Sequence, residues 1–155
     1  MDEIDWKIIT ALQQNARLTN QELAQKVGLS PSPCLRRLRK LEEEGVLCGY
    51  RALIDQEQYG LPINAFVSIR LERQTDAAIR AFERAIQDLD EVQECYLMTG
   101  ARDYLLRVVS HSLQAYERFV RERLTRIEGI ASIESSFAFN QVKKNPKLPP
   151  PAALS

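Results

Sequence analysis

The chain has 155 residues, 45% of them hydrophobic and 27% charged, with 21 basic and 21 acidic side chains and a net charge of zero. That length allows one ordinary domain or two small ones, and the composition is that of a globular protein rather than a disordered one. Neutrality excludes a uniformly basic nucleic-acid coat. No apolar run approaches the ~18–20 residues of a membrane span. The acidic start Met1-Asp2-Glu3-Ile4-Asp5 is neither a signal nor a transit peptide, which points to the cytoplasm. Cys34, Cys48 and Cys95 are an odd count without C-x-x-C spacing, so reduced thiols are expected rather than disulfides or a zinc site.

Residues 1–45 carry three helical patterns. Ile4, Ile8, Ile9 and Leu12 share a face, so residues 3–14 form an amphipathic helix. Thr19-Asn20-Gln21-Glu22 is a capping box that opens a second helix, carrying Leu23, Ala24 and Val27 and ending at Gly28. Ser30 as N-cap and Pro31 at the first helical position open a third, which runs to about Glu44 and stops at Gly45. Residues 46–60 form a connector, and Val46–Ile54 is rich in β-formers. Over 61–142 the rhythm changes. Ala65, Val67, Ile69 and Leu71 alternate with polar neighbours as a strand. Thr75 then caps a helix with Ile79, Phe82 and Ile86 on one face. Strands are expected at Val92–Met98, Tyr104–Val109 and Ile130–Val142, with a helix through Leu113, Tyr116, Val120 and Leu124 before the last. The order β-α-β-β-α-β is the ferredoxin-like arrangement. Right-handed crossovers put both helices on one sheet face. The other face is left bare, with Phe66, Phe137 and Phe139 as candidate exposed groups and a second copy of the chain as the simplest cover. Residues 143–155, with four prolines, are expected to be a flexible tail.

Two segments carry chemistry. The Gly28-Leu29 turn makes helices two and three a helix-turn-helix. Between Leu23 and Leu41 there are five basic residues and no acidic one, and Glu42, Glu43 and Glu44 follow. On the third helix Cys34, Leu35, Leu38 and Leu41 fall inward, while Ser32, Pro33, Arg36, Arg37 and Lys40 fall outward. Guanidinium groups suit guanine edges and phosphates, and the helix N-terminus at Ser30 offers amides and a positive dipole end. The alternative is a solvated basic face balanced by the three glutamates. Arg36 and Arg37 are the strongest candidate readers. Arg39 lies toward the flank, where it can pair with Glu43 instead.

The second segment is the loop Thr99-Gly100-Ala101-Arg102-Asp103. It is either a plain hairpin turn or a site in which the Gly100 and Ala101 amides hold a carboxylate and Asp103 accepts from an ammonium group, the two ends of a free amino acid. Arg102 either faces solvent or admits a polar side chain. Cys34 is expected in the core, as are Cys48 and Cys95, and His111 at the surface without a metal. No catalytic constellation, P-loop or Rossmann glycine motif occurs.

The runs Asp5-x-x-Ile8-Ile9, Glu22-Leu23-Ala24, Val27-Gly28-Leu29-Ser30-Pro31-Ser32-Pro33-Cys34-Leu35-Arg36-Arg37-Leu38, Gly49-Tyr50-x-Ala52-Leu53 and Gly100-x-x-Asp103-Tyr104-Leu105-Leu106 resemble the Lrp/AsnC (feast/famine) family of transcription regulators over about residues 2–149. The resemblance implies an α+β protein. A winged or helix-turn-helix three-helix domain would bind double-stranded DNA through Ser30, Ser32, Pro33, Arg36, Arg37 and Lys40. A ferredoxin-like βαββαβ domain would bind an amino-acid effector, without cofactor or metal. It also implies that the effector sits at Thr99, Gly100, Ala101, Arg102 and Asp103 between dimers, with Ser135 and Ser136 lining the pocket from a neighbouring chain. Homodimers would meet through the open sheet faces and assemble to tetramers or octamers in a cytoplasmic, nucleoid-associated protein that is not an enzyme. No basic arm precedes the first helix, so steering by one is not expected. The rivals are an effector-free architectural DNA-compacting protein and a small metabolic enzyme or its regulatory subunit.

Overall fold

The computed structural model describes residues 1–149; the remainder of the expected tail, residues 150–155, lies outside the described residues. The chain divides into two compact units, Met1–Leu53 together with the segment beginning at Val142, and Ile54–Gln141.

The first unit contains α1 (Glu3–Gln14), α2 (Asn20–Val27) and α3 (Pro31–Glu43). Ile8, Leu12, Leu23, Ala24, Val27, Cys34 and Leu41 form its core. Each helix begins where local chemistry starts it. On α1 the Asp2 carboxylate accepts from the Asp5 amide and the Asp5 carboxylate from the Asp2 amide, a box the aliphatic pattern alone does not announce. On α2 the Thr19–Glu22 box forms as expected. Gly28 ends α2 at φ +74°, in the left-handed region where only glycine is comfortable. Ser30 occupies the cap position of α3, but its side chain makes no capping hydrogen bond.

The second unit has β1 (Ile63–Leu71), α4 (Asp76–Gln87), β2 (Val92–Leu97), β3 (Tyr104–Ser110), α5 (Leu113–Glu122) and β4 (Ile130–Phe137). The sheet order is β2-β3-β1-β4, antiparallel throughout. Ala65, Val67, Ile69 and Leu71 of β1 face Phe82 and Ile86 of α4 and Tyr116 and Phe119 of α5 in one core.

Three expectations change, and two further segments can be described. The β-rich connector forms no strand among the described residues, because a β-former without a neighbouring strand has no ladder to join. The fourth strand stops at Phe137 rather than Val142. Its last pair on β1 is Ala65 with Phe137, the Ala138 amide donates to the Asn64 carbonyl, and β1 offers no further partner. Phe137 is not on the bare face. Paired with Ala65 it shares the helix-covered side, its ring edge-on to Tyr116 at 5.0 Å. Cys48 and Cys95 are exposed while Cys34 is buried; Cys95 points to the helix side, but from the edge strand β2, where cover is incomplete. Finally, of the expected tail, residues 143–149 group with the helical unit, and the Leu148 amide donates to Gln13 Oε1 at 2.6 Å.

The open face carries Phe66 on β1, Leu105 and Arg107 on β3, and Glu94 and Tyr96 on β2, as their pairings dictate. An Arg107–Glu94 ion pair at 3.0 Å crosses it. The face is therefore a short apolar strip among charges rather than a bare hydrophobic sheet.

Leu106, fully buried at the sheet centre, is the position where truncation should cost most. Leu106→Ala should lose about 2–5 kcal/mol of stability through transfer and cavity formation, while Phe66→Ala on the open face loses about 1 kcal/mol or less in the isolated chain. Urea unfolding of both variants checks the contrast.

Candidate functional site

Helix α3 presents one open face. Ser32, Arg36, Arg39, Lys40 and Glu43 lie along it, and with Leu35 they line one shallow groove. Arg39 makes no ion pair with Glu43 among the described residues; the pair that forms is Lys40–Glu44, at 3.7 Å and solvent-exposed on both sides, worth little against a phosphate. Pro33 is half-buried. The helix N-terminus offers less than expected. Pro31 and Pro33 have no N–H and the Cys34 amide donates to the Ser30 carbonyl, leaving the Ser32 amide.

Arg37 does not stand with this group. Its Nη1 donates to Asp2 Oδ2 at 2.7 Å and Asp5 Oδ1 at 2.8 Å, so the guanidinium reaches back to the capping box of α1. Asp5 is 8% exposed, which shields this pair more than a surface one. The arrangement ties α3 to the start of α1. It removes Arg37 from the outward face, where the sequence placed it, and leaves Arg36, Arg39 and Lys40 as the outward cations. The Asp5 backbone amide first, then Arg37, holds the Asp2 carboxyl below its ordinary value of 3.8.

The loop between β2 and β3 builds the second candidate. The Met98 amide donates to the Asp103 carbonyl and the Asp103 amide to the Ile69 carbonyl. Asp103 Oδ2 accepts from the Leu71 amide at 2.7 Å and Oδ1 from Gln74 Nε2 at 2.7 Å. Asp103 thus pins the loop onto the end of β1, where the β1–β4 register shifts at Arg70/Leu71. Gly100 sits at φ +108°. Among the described residues, the amides of Gly100 and Ala101 have no backbone partner. Leu71, Gln74, Ile79, Leu97, Met98, Gly100, Asp103 and Tyr104 line a cavity of about 360 Å³, large enough for one amino acid. The Tyr104 hydroxyl donates to Glu83, and burial first, then that carboxylate, pushes its pKa up to about 12, so it stays a neutral donor.

Three of the expected residues lie elsewhere. Arg102 ion-pairs with Glu134 on β4 instead of entering the cavity. Ser135 and Ser136 are adjacent in a strand and point to opposite faces. Ser135 shares a hydrogen bond with Tyr116 on the helix side, while Ser136 lies opposite Phe66 on the open face. Thr99 is exposed beside the cavity. His111 is exposed, and no group of His, Cys, Asp or Glu among the described residues is arranged to hold a metal. No described helix is long and apolar enough to cross a membrane.

Residues 1–47 match the model of a winged helix-turn-helix DNA-binding domain, and residues 64–148 that of the Lrp/AsnC ligand-binding domain. The chain belongs to the Lrp/AsnC family of transcriptional regulators. It is 47% identical to the Bkd operon transcriptional regulator of Pseudomonas aeruginosa over 92% of this chain and 93% of that one. It is 37% identical to the leucine-responsive regulatory protein of Escherichia coli over 96% and 90% of the two chains. The structure matches that of a Neisseria meningitidis transcriptional regulator in complex with L-Met, with a TM-score of 0.91, 38% identity and 96% coverage of both chains. An AsnC family regulator of Agrobacterium tumefaciens superposes with the same TM-score at 40% identity, over 96% of this chain and 97% of that one. The α+β assignment stands, and the relatives named here are transcriptional regulators.

The Arg37 clamp predicts acid behaviour. A carboxyl whose folded pKa lies below its unfolded value contributes stability that is present above the unfolded pKa, near 3.8, and is lost as pH falls through the folded one. Arg37→Ala should therefore lower the urea midpoint of the helical unit at neutral pH and flatten its decline on acidification below about pH 4. A pH series of unfolding curves measures both.

Proposed function

We propose that the chain binds operator DNA through the open face of α3 and that a free amino acid bound at the Gly100–Asp103 loop changes that binding. The observation that carries this reading is the loop cavity, where Gly100 and Asp103 meet Gln74, Leu71, Ile79, Leu97 and Met98 beside a loop whose Gly100 and Ala101 amides have no backbone partner among the described residues. The amides of Gly100 and Ala101 take the carboxylate of the amino acid, and the remaining lone pairs of Asp103 take its ammonium group. Leu71, Ile79, Leu97 and Met98 receive an apolar side chain. The likeness to a regulator crystallised with L-Met supports a ligand of this kind.

On DNA, Arg36 and Arg39 read base edges or phosphates, Ser32 and Lys40 flank them, Ser30 and Pro33 set the helix start, and Arg37 positions the helix through Asp2 and Asp5. Two copies meeting through the strip of Phe66, Leu105 and Tyr96 form a two-fold dimer, which suits a pseudo-palindromic site with half-sites about 34 Å apart. Dimers assemble further into tetramers or octamers, with the amino acid between them. Of Ser135 and Ser136, only the one facing a given neighbour contributes to its pocket.

The test is fluorescence anisotropy with the DNA upstream of the chain's own gene, with and without a pool of the twenty amino acids at fixed salt. Arg36→Ala should weaken binding by about 1–3 kcal/mol. Asp103→Asn keeps an oxygen for the Leu71 amide but removes the charge. It should leave ligand-free DNA binding within about twofold and raise the amino-acid concentration needed for a response by about tenfold or more. An unchanged response in Asp103→Asn would move the effector elsewhere, and DNA binding indifferent to both sequence and pool would favour the architectural rival.

A further inference from the structure

We infer that the segment Lys143-Lys144-Asn145-Pro146-Lys147 is a second DNA-binding element, a basic strap carried by the helical unit that grips phosphates of the same duplex as α3. The inference rests on the DNA-binding reading above and concerns residues outside the helix-turn-helix.

Charge distribution is the first observation. Residues 1–53 hold 8 basic and 7 acidic side chains, and residues 54–141 hold 10 and 14. The helical unit by itself is barely cationic, and Lys7 and Arg37 are paired with Glu3, Asp2 and Asp5. Lys143, Lys144 and Lys147 add three positive charges, and no acidic residue follows Glu134. The second observation is placement. Charge balance alone would lay such a segment on the acidic unit, yet it groups with the helical one, where the Leu148 amide donates to Gln13 Oε1 of α1. The chain thereby accumulates like charge on the unit that meets a polyanion. The third is availability. All three lysines are exposed, and none forms an ion pair among the described residues. Pro146 fixes its own φ and the Lys147 amide donates to Asn145 Oδ1 at 3.1 Å, so the segment turns at Pro146 and is not wound into a helix. Flexible ammonium groups of this kind neutralise phosphates without reading sequence.

The experiment compares the full chain with the triple variant Lys143→Ala/Lys144→Ala/Lys147→Ala on operator and scrambled duplexes between about 50 and 200 mM salt. The slope of log Kobs against log salt should become shallower by about 2–3, at about 0.9 for each phosphate that the strap no longer neutralises. Affinity should fall equally on both duplexes, so that operator preference is kept. The triple Lys→Arg variant should retain the wild-type slope, and in the wild-type chain all three lysines should be protected from acetylation when DNA is bound. A wild-type slope in the alanine variant, measured where Arg36→Ala does reduce it, overturns the strap while leaving the function of α3 intact. A wild-type chain that binds neither duplex overturns the functional reading and the strap with it.

Discussion

The two-residue alternation of β1 governs the C-terminal unit. Because β1 pairs with β3 on one side and β4 on the other, its register decides the face of every residue opposite it, and a one-residue slip would exchange core and surface across three strands. With Ala65, Val67, Ile69 and Leu71 sealed beneath α4 and α5, Phe137 goes to the helix side and Ser136 to the open side. The end of β1 then meets the β2–β3 loop. The irregularity at Arg70/Leu71 turns the Leu71 amide to Asp103, and the cavity forms there.

Asp103 has a structural task, and the proposed effector site gives it a second. It satisfies the Leu71 amide and Gln74 within the chain, which orients its carboxylate, and a carboxylate retains further acceptor sites for a ligand. This fits a binding site built on a rigid element rather than a loop adjusted by chance. In the helical unit Arg37 is the complementary case. A residue of the type expected to touch DNA instead holds the helix proposed to touch it.

Much of this is legible in the sequence. The helix boundaries of the first unit, the Thr19–Glu22 box, the stop at Gly28 and the β-α-β-β-α-β order all follow from short-range chemistry, and short-range chemistry is what a sequence displays most openly. The misplacements have specific causes. At ~100° per residue, Arg39 lies about 60° from Arg36 around the helix and Arg37 about 100°, so the spacing favours Arg39, while charge density favours the adjacent pair. The Asp2–Asp5 box explains where Arg37 goes, but the link crosses more than thirty residues and has no periodicity to reveal it. Phe137 and Phe139 look alike in the sequence, and only the pairing with β1 separates them. The connector's β-formers express a propensity that a single chain does not use. The binding candidates divide in the same way: Gly100 and Asp103 belong to one local turn and converge, while Arg102, Ser135 and Ser136 depend on strand pairing and disperse.

The α3 face and the loop cavity are, on this account, coupled sites on one molecule. Coupling of that kind is reciprocal: whatever factor the amino acid imposes on DNA affinity, DNA must impose on amino-acid affinity. The direct measurement is isothermal titration of the effector amino acid into the chain alone and into the chain saturated with operator. The account predicts two different dissociation constants whose ratio equals the ratio of DNA affinities measured with and without the amino acid. Equal constants in the two titrations, alongside a DNA affinity that does respond to the amino acid, would contradict it.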